Sequence, residues 1–149
     1  KDLKGKSFAF GDRDSTLTHV VPLYMLMEAG VKLEDLQEHK FVGSHDNVAL
    51  AVALKMSDAA GLMPDIAEKY MDRGLEVIAK SPDLPEHVFV ATKSMDAATV
   101  EKIQSALLTM DPALQKGIKG SLTGMRKFSD KDFDMLRNIL KKVEKDVMK

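Results

Sequence analysis

Residues 7–19 read SFAFGDRDSTLTH, an apolar run followed by a polar loop. The run at 7–10 predicts a short strand that Gly11 ends, and the apolar spacing within 24–29 predicts a helix after the loop. Because an interior proline breaks a helical hydrogen bond, Pro22 requires either that the regular helix begins a turn before it or that the helix kinks there. Strand, loop and helix in this order are the first half of a βαβ unit.

Two more strand-to-helix units follow in the sequence. Residues 40–43 predict a strand, Ser44 an N-cap, and residues 45–56 a helix. The small residues at 58–62 predict a third strand. A helix over 65–73 follows it, with Pro64 where first-turn prolines are tolerated. Alternating strands and helices favour a parallel sheet.

The second half of the chain begins with two further strand patterns, at 75–79 and 87–91, and then becomes helical. Asp96 is the predicted N-cap of one long helix, and Ser129 is the predicted N-cap of the last one. The predicted fold class is therefore α/β, with βαβ units, a mostly parallel sheet and C-terminal helices.

Composition excludes several classes of function. The 149 residues carry 22 Lys+Arg against 23 Asp+Glu, a net charge of −1, which argues against a nucleic-acid-binding protein. No cysteine is present, so the chain has no thiolate nucleophile and no zinc–cysteine site. The four histidines lack metal-ligand spacing, and His19 and His39 are interpreted as surface or packing residues. Phosphate-loop, nucleophile-elbow and zinc-protease motifs are absent, so the sequence predicts no catalytic residue, metal or cofactor.

Hydroxyl and imidazole side chains cluster where two predicted strands end and helices begin. The first loop carries Ser15, Thr16 and Thr18, and the second carries Ser44 and His45. Helix N-termini attract anions, and hydroxyls can donate to them. The alternative is that these residues only cap helices, as Ser and Thr before a helix usually do. Three hydroxyls within four positions exceed what one cap requires, which favours an oxyanion site.

An ordered series of short motifs along the chain resembles the phosphate-, phosphite- and phosphonate-binding proteins of ABC transporters. The motifs are DLKGK (2–6), FAFGD (8–12), ST (15–16), HVVP (19–22), YML (24–26), EAG (28–30), GSHD (43–46), VALAV (48–52), SP (81–82), PEH (85–87), LTG (122–124) and SD (129–130) with Phe133. Each is weak alone, and their order is what makes the resemblance specific.

The resemblance implies one lobe of a type II periplasmic-binding fold, in which two lobes joined by a hinge close on a small oxyanion. Residues 1–85 are then the second ligand-binding lobe, and 86–149 are the hinge return strand and C-terminal helices. The first lobe would lie in a segment before Lys1, and its absence would expose an apolar face that a second copy could cover as a homodimer. The implied protein is non-catalytic, periplasmic or extracytoplasmic, and works with an ABC transporter permease.

By the same resemblance, Ser15 and Thr16 match a hydroxyl pair that grips phosphonate oxygens, and His45 matches a histidine that contacts the same group. The family motif often continues with a third serine and a glycine, where this chain has Leu17 and Thr18. One donor is thereby lost, and Thr18 could compensate by turning inward. Two alternatives stay open at this point. One is an extracytoplasmic sensor domain that signals to a downstream kinase or cyclase domain, and the other is an interaction module that has lost its ligand.

Overall fold

Three parallel strands form the sheet in a computed structural model that describes residues 2–85, 87–120 and 122–147. Strand β1 is Ser7–Phe10, β2 is Glu38–Phe41 and β3 is Ala59–Ala60. Their spatial order is β2-β1-β3, with Phe10 opposite Phe41 across the first pair. The parallel sheet with its connecting helices confirms the predicted α/β class.

The connection after β1 begins with a π-helical turn, Thr16–Val20, and continues as helix α1, Val21–Glu28. Pro22 lies in the first turn of α1, where its missing N–H is tolerated. The regular α-helix therefore begins one residue before Pro22, later than the predicted start a full turn before it, and a π-helical turn precedes it. Gly30, with a φ of 75°, follows the end of α1.

Helix α2, His45–Ala53, begins at the predicted N-cap, Ser44, and ends before the predicted 56. Lys55 adopts a φ of 57°, which a right-handed helix does not allow, so the helix cannot continue through it. Strand β2 starts and ends earlier than the predicted 40–43, and β3 is shorter than 58–62. Backbone pairing with β1 sets these limits, and apolar content alone does not reveal them.

Helix α3, Pro64–Tyr70, has its proline in the first turn as predicted and continues as a 3-10 turn, Met71–Arg73. The strands predicted at 75–79 and 87–91 are wrong: both segments are irregular, and Ile78 and Val90 are 69% and 87% exposed. A strand needs hydrogen bonds from a neighbouring strand, and these segments have no pairing partner among the described residues.

The C-terminal part is helical, as predicted. Its elements are α4 (Ala97–Leu108, capped by Asp96), α5 (Pro112–Ile118, capped by Asp111), a 3-10 turn (Asp130–Phe133) and α6 (Asp134–Val147). No helix in the described ranges is long and apolar enough to cross a bilayer.

The chain forms two compact units, one of residues up to Leu84 together with those from Met135 onward, the other of Pro85–Asp134. The core of the first unit lies between the sheet, α1 and α6, where Phe10, Leu23 and Val143 are 0–1% exposed. A smaller cluster of Ala49, Tyr70 and Leu75 joins α2 to α3. The last helix therefore packs beside strands that lie far from it in sequence.

Candidate functional site

The loops that follow β1 and β2 begin side by side at the carboxyl edge of the sheet. Phe10 and Phe41 are register partners at the ends of these strands, and the Val42 N–H donates to the Phe10 carbonyl at 2.9 Å. One residue further, the Gly43 carbonyl oxygen lies 3.1 Å from where a Cβ on Gly11 would stand. In a parallel sheet this edge is where ligands bind.

The first loop presents Ser15 and Thr16, both half-buried, at the start of the π-helical turn. Ser15 is the N-cap: its Oγ accepts the Thr18 N–H at 3.2 Å, and its hydroxyl hydrogen is still able to donate. The Thr16 hydroxyl makes no hydrogen bond to another described residue. Capping therefore explains Ser15 and leaves Thr16 unexplained.

Thr18, the third predicted hydroxyl, is 1% exposed and packs beneath the loop. Its carbonyl accepts the Gly11 N–H at 3.0 Å, and its Cβ lies 2.6 Å from where a Cβ on Gly11 would stand. Only glycine allows this approach. The structure thus places Thr18 against the backbone of the loop, behind Ser15 and Thr16.

His19 is 2% exposed and packs against the same loop. Its Nδ1 lies 2.6 Å from the Arg13 carbonyl, and its ring stands perpendicular to that of Phe41, with centroids 4.7 Å apart. The interpretation of His19 as a packing residue is confirmed. The Arg13 guanidinium is stacked 4.0 Å from the centroid of the Phe41 ring, which joins the first loop to the end of β2.

The second loop presents Ser44 and His45 at the start of α2. Ser44 is exposed, and its Oγ accepts the Asn47 N–H at 3.3 Å as the N-cap. The Asn47 side chain donates in turn to the Val42 carbonyl at 2.9 Å, which closes the loop on itself. The first N–H groups of α2 have no partner within the helix.

His45 is the first residue of α2 and is half-buried. Its Nδ1 is shielded from solvent and has no hydrogen-bond partner in the part of the chain that the structure describes. A buried N–H without an acceptor is unfavourable, so the neutral ring favours its hydrogen on Nε2. Nε2 is then a donor.

Asp46 follows His45 and is turned towards α3. Its Oδ1 accepts from Lys69 Nζ at 2.6 Å and from the Tyr70 hydroxyl at 2.8 Å. These bonds, the one from Lys69 first, lower the pKa of Asp46, and the carboxylate raises the pKa of Lys69. Both groups therefore stay charged across the neutral range.

The structure thus brings four predicted residues to one edge, Ser15 and Thr16 on one loop and Ser44 and His45 on the next, with Thr18 behind them. Hydroxyls, an imidazole and two helix N-termini suit an anion. No group of three acidic or histidine side chains in the described ranges is arranged to hold a metal ion.

Sequence reasoning missed the supports of this site. The contacts of Asp46 with Lys69 and Tyr70 join residues more than twenty positions apart, and no local sequence pattern predicts them. The stacking of Arg13 on Phe41 likewise depends on the pairing of two strands. Among these supports, only His19 was indicated by the sequence, because it belongs to HVVP (19–22), one of the motifs that carry the family resemblance.

Comparison with known proteins matches residues 1–134 to one family model, described as "ABC transporter, phosphonate, periplasmic substrate-binding protein". The chain is also similar to a probable ABC transporter phosphite-binding protein, PhnD1, of Prochlorococcus marinus strain MIT 9301. They share 27% identity over 123 residues, which are 74% of this chain and 41% of that protein.

Two solved structures share the fold. PhnD1 from the same Prochlorococcus strain, in complex with methylphosphonate, matches with a TM-score of 0.78 at 24% identity. XAC2383 from Xanthomonas citri, bound to a chloride ion, matches with a TM-score of 0.63 at 20% identity. Each alignment covers 97% of this chain and 59% of the other, so the chain spans only part of the length of these proteins.

Proposed function

The chain belongs to the family of phosphonate-binding periplasmic substrate-binding proteins of ABC transporters, and on that premise we propose that it captures a small phosphorus oxyanion for such a transporter. The family consists of binding proteins and not enzymes. The ligand would be held by hydrogen bonds and released unchanged.

One observation carries the proposal: the Ser15–Thr16 pair and the Ser44–His45 pair follow two adjacent parallel strands whose last residues, Phe10 and Phe41, are register partners. Two helix starts, each with spare hydroxyl or imidazole donors, therefore face the same edge. A tetrahedral oxyanion has several acceptor oxygens, and donors from two loops suit such a group.

Each predicted residue has a proposed role. Ser15 and Thr16 donate their hydroxyl hydrogens to ligand oxygens, Ser44 donates from the second loop, and His45 donates from Nε2. Thr18 is 1% exposed, so its proposed role is to hold the loop on Gly11 and not to touch the ligand. Neutral donors suit a carrier, because binding must be strong enough for capture and weak enough for release.

The relatives support the proposed ligand class. Methylphosphonate lies in the solved PhnD1 complex, and phosphite is the ligand in the name of the curated relative. We propose the same class, a phosphonate, phosphite or phosphate, for this chain. Its partner would be the permease of the transporter and its location extracytoplasmic. The 149 residues alone should bind weakly if, as the resemblance implies, the ligand is enclosed between two lobes and these residues form one of them.

The test is titration calorimetry on the complete gene product that contains this chain. Methylphosphonate, phosphite, phosphate and 2-aminoethylphosphonate are titrated in turn, with sulfate as the control anion. At least one phosphorus oxyanion should bind more tightly than sulfate. Absence of heat with all four would overturn the proposal.

A further inference from the structure

The first turn of α2 contains an acidic residue, Asp46, directly after the proposed ligand donor His45. A carboxylate at a helix N-terminus normally offsets the partial positive charge of the helix. It would also repel an anionic ligand at the same place. An oxyanion site beside Asp46 therefore requires that its charge be compensated.

The hydrogen bonds of Asp46 can compensate its charge. Ser44 Oγ already caps α2 by accepting the Asn47 N–H, so the helix does not need the Asp46 carboxylate as its cap. Asp46 Oδ1 instead accepts from Lys69 and Tyr70, the last two residues before the 3-10 turn that ends α3.

The two donors are held in different ways. Tyr70 is 6% exposed and packs with Ala49 and Leu75 in the cluster between α2 and α3, so its hydroxyl is fixed by its buried ring. Lys69 is largely exposed, with its Nζ 5.2 Å from the centroid of the Tyr70 ring. Tyr70 orients the carboxylate and Lys69 balances its charge.

We propose that Lys69 and Tyr70 are positioning residues of the oxyanion site: they neutralise Asp46 and turn it towards α3, so that the first turn of α2 accepts an anion beside His45. The inference rests on the proposed function. It adds that affinity depends on two residues of α3 that do not touch the ligand, acting through the charge of Asp46.

The test is a double-variant cycle in the complete gene product, with methylphosphonate affinity measured by calorimetry. Lys69→Met should weaken binding about 2- to 5-fold, the effect of one uncompensated charge near a helix N-terminus. Asp46→Asn should bind at least as tightly as the wild type. The double variant should also bind at least as tightly as the wild type, because no charge is left to compensate.

Two further variants separate charge from packing. Lys69→Arg keeps the positive charge and should retain wild-type affinity, and Tyr70→Phe keeps the ring and should weaken binding through loss of the hydroxyl alone. Thermal unfolding of every variant identifies any that fails to fold. A purely structural role of Lys69 predicts that the double variant binds no better than Lys69→Met.

The chain offers a matched control pair. Lys142 Nζ lies 3.0 Å from Glu28 Oε1 and 5.2 Å from the centroid of the Tyr24 ring, the same arrangement at the C-terminal end of α1, away from the site. Lys142→Met and Glu28→Gln should leave affinity unchanged.

If the wild type binds and Lys69→Met binds equally well, or the double variant fails to recover, this inference is overturned and the proposed function stands. If the wild type binds no anion, both are overturned.

Discussion

His19 Nδ1 lies 2.6 Å from the carbonyl oxygen of Arg13, and this bond fastens the first loop of the site to the buried side of the sheet. A carbonyl oxygen only accepts, so Nδ1 carries the hydrogen. The His19 ring is held in turn by edge contacts with Phe10 and Phe41, centroids 5.3 and 4.7 Å away. The loop that carries Ser15 is therefore already shaped without a ligand, and a preformed loop would lower the entropic cost of the proposed binding.

Replacement of His19 tests this support. His19→Leu removes the donor and leaves the Arg13 carbonyl without it, so the free energy of unfolding should fall by about 1–3 kcal/mol. His19→Asn is the control, since its amide can donate to the same carbonyl and should recover part of the loss. Chemical denaturation measures both. Equal stability of the Leu variant and the wild type would show that the bond does not support the loop.

The two hydroxyls of the first loop should respond differently to removal. Ser15→Ala loses both an N-cap and a proposed ligand donor, so stability should fall by about 1 kcal/mol and oxyanion affinity should also fall. Thr16→Val keeps the shape and loses a hydroxyl that no other described residue uses, so affinity should fall while stability stays within about 0.5 kcal/mol. Thermal unfolding and calorimetry on both variants check this contrast. Unchanged affinity in Thr16→Val would remove Thr16 from the site.

Gly11 should not tolerate a side chain. A Cβ there would overlap Thr18 Oγ1 and lie 2.6 Å from Thr18 Cβ. Thr18 is held in place because its N–H donates to Ser15 Oγ and its carbonyl accepts the Gly11 N–H. Gly11→Ala should therefore destabilise the chain by about 1–3 kcal/mol and weaken anion binding. Gly124→Ala is the control, because nothing lies within 4 Å of a Cβ at that position. Equal unfolding midpoints for the two variants would contradict the packing described for Thr18.

The sequence predicted the strand-to-helix units well because their signals are local. Ser44 as a cap and Pro64 in a first turn follow from the chemistry of single residues, and both are confirmed. The segments 75–79 and 87–91 carry equally clear alternation and are not strands. Periodicity reports which residues could face a core, and it does not report whether a partner strand is present.

The candidate site likewise combines residues that the sequence predicts with supporting contacts that depend on the fold. The motif positions drew attention to Ser15, Thr16, Ser44 and His45, and the structure brings all four to one edge. What holds them there depends on residues from distant elements. The bond from Lys69 to Asp46 forms only when α3 packs on α2, so only the folded chain reveals it.

The 3-10 turn before α6, Asp130–Phe133, should make the stability of the folded chain sensitive to acid pH. Asp132 accepts from the Ser129 N–H at 2.7 Å, from Arg126 at 2.9 Å and from the Ser129 hydroxyl at 2.9 Å, and these bonds lower its pKa from 3.8 to about 2. A carboxyl whose pKa is lowered by folding stabilises the folded state above its unfolded pKa. That contribution is lost as pH falls from about 4 towards 2.

Asp132→Asn removes this titration. The difference in unfolding midpoint between wild type and variant should be largest near neutral pH and should shrink as pH falls through the range below 4. Circular dichroism melts over an acid pH series provide the measurement. A difference that stays constant with pH would show that the carboxylate charge contributes nothing to the turn.

The most direct test of the proposed oxyanion site is a nuclear magnetic resonance titration of the isotope-labelled gene product with methylphosphonate. We expect the largest backbone amide shifts on Ser15, Thr16, Ser44 and His45, with a shift at the His45 ring. Saturable shifts confined to other parts of the chain, or none at all, would contradict it.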